Sequence, residues 1–187
     1  MVTETKDFTI RDHVLTLTTS TGVFSKKGID FGSRLLIETF EAPSVQGDFL
    51  DLGCGYGPIG LTLAKEFSDR HVKMVDVNER AVTLAGENAR QNDIENVTIQ
   101  QSDGFSTISQ ETFAAIITNP PIRAGKKVIY PFFEKSATQL VSGGSLWVVV
   151  QKKQGAPSMM KFLETLFPLV EVRARKKGYY IIQATKE

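Results

Sequence analysis

A chain of 187 residues, 41% hydrophobic and 23% charged, fits one compact unit and excludes a disordered, collagen-like or coiled-coil protein. Its longest aliphatic or aromatic run, Leu146 to Val150, is far short of the roughly 20 residues that cross a bilayer, the start is polar, and the single cysteine, Cys54, excludes an intrachain disulfide or a cysteine metal cluster, so a cytoplasmic protein is expected. With 22 Lys and Arg against 21 Asp and Glu, the net charge of +1 neither demands nor excludes a nucleic-acid partner; the placement of charge has to decide.

Taken in chain order, residues 1–45 predict an N-terminal extension. Alternating Phe8-Thr9-Ile10 and Leu15-Thr16-Leu17 read as β-structure, and an amphipathic helix follows from about Phe31 to Phe40. Residues 46–187 form the main unit. Strand-like Asp48–Leu52, Val72–Val77, Val97–Gln101, Ala114–Thr118 and Ser145–Val150 alternate with helical Pro58–Phe67, Glu79–Gln91 and Pro131–Val141. Asn78 is placed to cap the second of these helices, and Gly143-Gly144 to stop the third. Such alternation predicts an α/β fold with a parallel sheet covered on both faces. Val170–Arg175 and Tyr179–Ala184, split by Lys176-Lys177-Gly178, predict a terminal antiparallel hairpin, giving seven strands in all.

Chemistry concentrates first in Asp51-Leu52-Gly53-Cys54-Gly55-Tyr56-Gly57-Pro58-Ile59-Gly60. A strand ends, glycines turn the backbone tightly toward a ligand, and a helix opens on proline. Gly55, Gly57 and Gly60 also satisfy the G-x-G-x-x-G spacing of dinucleotide sites, with Asp76 downstream, so an oxidoreductase is one possibility. Asp51 at the strand end opposes that reading, because it would meet a pyrophosphate with like charge; a cationic ligand suits it better. Cys54 reads as a small turn residue, since neither His13 nor His71 lies within these motifs to activate it.

This stretch resembles the first motif of the class I S-adenosylmethionine-dependent methyltransferases. The resemblance implies a Rossmann-like fold in which Gly53, Gly55 and Gly57 line the methionine part of the cofactor. It further implies that Asp76 holds the ribose hydroxyls and that Asp103 contacts the adenine. A carboxylate that merely caps a helix or turn is the competing role for both acids.

Asn119-Pro120-Pro121-Ile122 follows the fourth strand as a stiff turn at the ligand-binding edge of the sheet. An amino group conjugated to a ring is a poor nucleophile. If the Asn119 side-chain oxygen and the Pro120 carbonyl accept its two hydrogens, the nitrogen can pyramidalise toward a methyl donor, and alignment supplies most of the acceleration. Together with Gly22-Val23-Phe24-Ser25 and Asp30-Phe31-Gly32, the run from Asn119 to Lys126 resembles the small-domain methyltransferases related to the guanine-N2 methyltransferases of 16S ribosomal RNA. That likeness implies transfer to the exocyclic amine of a guanine in RNA. Two departures stand out: the larger relatives carry a second domain ahead of the catalytic one, and Ile122 stands where many have an aromatic residue. Ile122 packs on the base in this reading, with Phe24 either stacking in its place or anchoring the loop. A protein glutamine N5-methyltransferase and a non-catalytic RNA-binding assembly factor also stay open.

Basic residues gather at Lys26-Lys27, Arg123 with Lys126-Lys127, Lys152-Lys153 and Arg173 to Lys177. The last three groups are expected at the sheet edge that holds the cofactor, a rim fit for RNA phosphates, with Arg123, Lys126, Lys152 and Lys153 as substrate contacts.

Overall fold

The computed structural model describes residues 2–20 and 29–187, so the expectations placed on Phe24, Lys26 and Lys27 lie outside the described residues. Strands β1 (Thr3–Ile10) and β2 (His13–Ser20) pair antiparallel across Arg11-Asp12, both at positive φ, as a two-residue turn that matches strand twist requires. Period-two alternation buries Leu15 and Leu17. The opposite edge of β2 is closed by side chains of the helix α3 (Glu79–Gln91) and the residue after it. Asn88 Oδ1 accepts from Thr18 N at 2.8 Å and Asn88 Nδ2 donates to Thr18 O at 2.9 Å. Asn92 repeats the pattern on Thr16, accepting and donating at 2.8 Å each. Two amides one helical turn apart thus stand in for a strand, and they satisfy backbone groups that would otherwise be costly to bury.

Helix α1 (Phe31–Thr39) follows, capped at its start by Asp30 and at its end by Arg11, whose Nη1 donates to the carbonyls of Ile37 and Phe40 at 2.9 Å each. The main sheet holds β3 (Phe49–Leu52), β4 (Val72–Asp76), β5 (Val97–Gln101), β6 (Phe113–Thr118), β7 (Leu140–Gln151), β8 (Leu169–Lys176) and β9 (Tyr179–Thr185). Its order is β5-β4-β3-β6-β7-β9-β8, with β3 to β7 parallel and β9 antiparallel to both its neighbours. The expected seven-stranded, mostly parallel α/β sheet is therefore present. Helices α2 (Pro58–Glu66), α3, α4 (Lys126–Gln139) and α5 (Ala156–Glu164) complete it. None among the described residues is long and apolar enough to cross a membrane.

The run Leu146–Val150 divides its burial between two cores, as a strand covered on both faces must. Trp147 and Val149 join one cluster with Leu17, Leu36, Phe40 and Leu61; Leu146, Val148 and Val150 join the other with Ile116, Phe133 and Leu163. Phe40 sets its ring edge-on to Phe49, Phe67 and Trp147, which ties α1 to the sheet.

Several boundaries differ from the sequence reading, most of all around Pro131 and Gly143-Gly144, and α5 has no counterpart in it. Helix α4 starts at Lys126, after Gly125 at φ 84°, and carries Pro131 in its second turn rather than at its start. It ends at Gln139, so Gly143-Gly144 lies inside β7 instead of stopping a helix. The pairing with β6 shifts register there, between Phe113 and Ala115; Gly143 has φ 82°, and a β-carbon on Gly144 would stand 2.7 Å from the Ala114 carbonyl oxygen. These glycines serve a bulge and a close backbone approach.

Candidate functional site

Strand order reverses between β3 and β6, which opens a crevice at their carboxyl ends. The chain from β3 into α2 enters it as a tight turn. Gly53 N and Cys54 N both donate to Val75 O, at 2.9 and 2.8 Å, pinning the turn to β4. Gly57, at φ 107°, takes the N-cap position of α2 and has no side chain to cap with. Asp51 does that work from the strand below, its Oδ2 accepting from Gly60 N at 2.8 Å.

The glycines divide by what surrounds them. A β-carbon on Gly57 would come within 2.8 Å of the Leu61 side chain, and one on Gly60 within 2.8 Å of Asp51 Oδ2 and 2.7 Å of Met74. Gly53 and Gly55, at φ 76° and 56°, would meet nothing within 4 Å. They border a cavity of about 420 Å³, a size ordinary for small-molecule sites. Gly53, Gly55, Asp76 and Asp103 line that cavity, together with Asn119, Pro120 and Pro121; Asp51, Gly57 and Ile122 do not.

Asp51 is 1% exposed and its Oδ1 is buried without a hydrogen-bond partner among the described residues. Burial pushes its pKa up to about 7, against the stabilising Gly60 N–H and with the help of the neighbouring Asp76 charge. Asp76 is tied to the turn: Gly55 N donates to its Oδ2 at 2.8 Å and Asn78 N to its Oδ1 at 2.9 Å. The cavity wall near Asp103 also includes Val77 and Phe132, the latter packed against Gly104. Val77 and Val128, apolar and 61% and 40% exposed, both belong to this wall. Burial raises the Cys54 thiol pKa well above its usual range, which agrees with a turn residue rather than a nucleophile.

Asn119 is fixed from the N-terminal side. Its Nδ2 donates to Ser33 Oγ at 2.9 Å and stands 3.5 Å from Asp30 Oδ2, both at the first turn of α1. A carboxylate has no proton to give, so the amide's NH2 must face it, and Oδ1 remains as the acceptor. The Pro120 carbonyl accepts from Ile122 N at 2.9 Å around Pro121 at φ −75°, ψ 80°, an inverse γ-turn that uses one of its two lone pairs. That turn packs Ile122 against the hydrophobic core, not over the cavity.

The basic groups distribute unevenly. Lys152 and Lys153, both exposed, form a short turn after β7, and Lys152 N donates to Gly178 O at 2.9 Å. They therefore share one edge with Lys176 and Lys177 at the β8–β9 turn. Arg123 and Lys126 are exposed beside the cavity mouth without lining it. Arg173 is engaged elsewhere, paired with Glu41 at 2.7 Å and bonded to Gln183. The sequence reading passed over Ser33, Tyr56, Val128 and Phe132 as wall or positioning residues. Only Ser33 had a local signal, three residues after a helix-capping aspartate.

A family model described as "Methyltransferase small domain" matches residues 14–183. The chain is 61% identical to "Uncharacterized protein YbxB" of Bacillus subtilis (strain 168), over 98% of its own length and 92% of that protein's. It is 33% identical to "Ribosomal RNA small subunit methyltransferase C" of Vibrio cholerae, over 93% of this chain and 50% of that one. Among solved structures, the Thermus thermophilus 16S rRNA N2 G1207 methyltransferase in complex with AdoMet and guanosine superposes with a TM-score of 0.87 at 23% identity, covering 100% of this chain and 51% of that one. A methyltransferase from Pyrococcus furiosus gives 0.71 at 20% identity, over 89% and 91% of the two chains. The chain thus spans about half the length of the ribosomal RNA methyltransferases it matches.

Proposed function

Because the chain belongs to the methyltransferase small-domain family, we propose that it moves the methyl group of S-adenosylmethionine to the exocyclic amine of a guanine in 16S ribosomal RNA. The residues present fit this donor. It has an ammonium, a sulfonium and no phosphate, and the turn that would receive it is bonded to the carboxylate of Asp76 on the cavity wall, which favours a cation and repels a pyrophosphate. Gly53 and Gly55 leave room against the backbone, Asp76 and Asp103 line the same cavity and serve the ribose and adenine in this reading, and Asp51 and Gly57 support the turn from below.

Bound there, the donor supplies an electrophilic methyl group. The chain's own part is alignment. Asn119 Oδ1 and the second lone pair of the Pro120 carbonyl accept the two amine hydrogens, so the nitrogen lone pair turns out of the ring plane toward the methyl carbon. As the N–C bond forms the S–C bond breaks, and the surplus proton leaves the nitrogen afterwards, so no strong base is needed. Residues 1–45 serve the substrate side, with α1 holding Asn119. Lys152, Lys153, Lys176 and Lys177, with the exposed Arg123, Lys126 and Lys127 that follow the Pro120-Pro121 turn, offer a basic surface to RNA phosphates.

The observation that carries this reading is the anchored Asn119 amide, its NH2 held by the first turn of α1, on a residue that lines the same cavity as Gly53 and Gly55. Asn119→Ala is expected to bind S-adenosylmethionine as the parent does while losing roughly a hundredfold or more of its turnover, the usual cost of one preorganised hydrogen-bonding group. Calorimetry and labelled methyl incorporation into ribosomal RNA measure the two quantities. Full activity in this variant rules the mechanism out.

A further inference from the structure

Building on the methyl-transfer reading, we propose that Asp30 selects the base: its carboxylate accepts the ring N–H next to the target amine, so the site takes guanine and rejects adenine and cytosine. Asp30 lines the same cavity as Asn119 and Pro120. Capping α1 occupies only its Oδ2, which accepts from Ser33 N at 3.4 Å and stands 3.5 Å from Asn119 Nδ2. Among the described residues no hydrogen bond engages the second carboxylate oxygen, which is the acceptor this reading assigns to the base.

The polarity of this wall follows. The NH2 of Asn119 is spent on Ser33 and Asp30, proline nitrogens have no hydrogen, and the carboxylate has none to give. Asn119, Pro120 and Asp30 therefore present acceptors alone. A base edge that fits them must bring donors alone at the amine and at its neighbouring ring position. Guanine does, with its 2-amino group beside N1–H. Adenine and cytosine place a ring-nitrogen lone pair beside their amine, where it would face the carboxylate with like polarity. A neutral acceptor would tolerate that mismatch better than a carboxylate, because charge-assisted hydrogen bonds are the stronger and their loss the dearer.

The test saturates the protein with S-adenosylhomocysteine and titrates guanosine, adenosine and 2-aminopurine riboside by ligand-observed NMR. 2-Aminopurine keeps the 2-amino group but carries a lone pair at N1. The parent protein is expected to prefer guanosine over 2-aminopurine riboside by roughly tenfold to a hundredfold. Asp30→Asn still caps α1, yet its amide can donate to N1, so the preference is expected to vanish or reverse. Ser33→Ala keeps the carboxylate but removes an anchor of Asn119; it is expected to weaken both purines while keeping their ratio. The proposal is overturned if the parent does not discriminate, if Asp30→Asn keeps the parent's ratio, or if Ser33→Ala abolishes it. Failure of S-adenosylhomocysteine itself to bind, read first by calorimetry, brings down the methyl-transfer reading on its own account.

Discussion

Asp51 shows how one side chain can support a helix and carry a titration. In the unfolded chain its carboxyl ionises near the ordinary 3.8; in the fold it holds its proton to about pH 7. Across that window the folded state binds more protons than the unfolded one, so this residue's contribution favours folding below about pH 4 and fades as the pH rises toward 7. Asparagine has the same shape, accepts the Gly60 N–H and never ionises. The melting temperature of Asp51→Asn relative to the parent is therefore expected to rise between pH 5.5 and pH 8, as thermal denaturation in matched buffers would measure; a constant difference contradicts a buried proton. A cation above the turn stabilises the ionised form, so S-adenosylmethionine binding at pH 7 is expected to release protons. Calorimetric enthalpies should then scale with the ionisation enthalpy of the buffer.

At the level of the element, the glycine turn separates binding from folding. Gly55→Ala puts a methyl group into the cavity from a left-handed backbone position, at a cost of about 1–2 kcal/mol in stability and with weaker cofactor binding beyond that. Gly60→Ala drives its methyl against Asp51 and Met74, so about 1–3 kcal/mol of stability goes with it and affinity suffers only through the fold. Denaturant titration and calorimetry on the two variants test the contrast. The motif's spacing marked the turn but could not assign its faces. Asp51 and Gly57 look outward in a linear pattern, and only the entry of α2 turns them beneath it. Gly143-Gly144 misled for a related reason: a helix stop and a strand bulge both call for positive φ, and the sequence offers the same glycine for either. Pro131 suggested a helix start because proline is welcome there, whereas α4 accommodates it one turn later. Hydrophobic alternation and the terminal hairpin were legible because period and turn spacing are local properties, although Lys176, read as part of the turn, belongs to β8 and leaves Lys177-Gly178 between the strands. The hold of Ser33 on Asn119 was not, since it joins residues 86 positions apart.

For the molecule as a whole, a net charge of +1 leaves room for local clusters, and the Lys152-Lys153 turn meets the Lys176-Lys177 turn through Lys152 N and Gly178 O. Replacing Lys152, Lys153, Lys176 and Lys177 together by alanine is expected to weaken RNA binding and to flatten the slope of log affinity against log salt by roughly 0.7 for each phosphate no longer neutralised. Filter binding at several salt concentrations measures both, and an unchanged slope would remove the rim from the RNA interface. The N-terminal hairpin and α1 share a hydrophobic cluster with Trp147, so the segment that holds Asn119 is built into the sheet's own core. The placing of β9 between β7 and β8 bears on how the protein is made. A ribosome delivers β8 before the neighbour it needs, and until Tyr179–Thr185 emerges, β7 offers a bare row of amides and carbonyls to any passing chain. Synthesis runs from one end to the other, but this side of the sheet is closed from the inside by a strand made after both of its neighbours, so the nascent polypeptide carries an open strand edge in the interval.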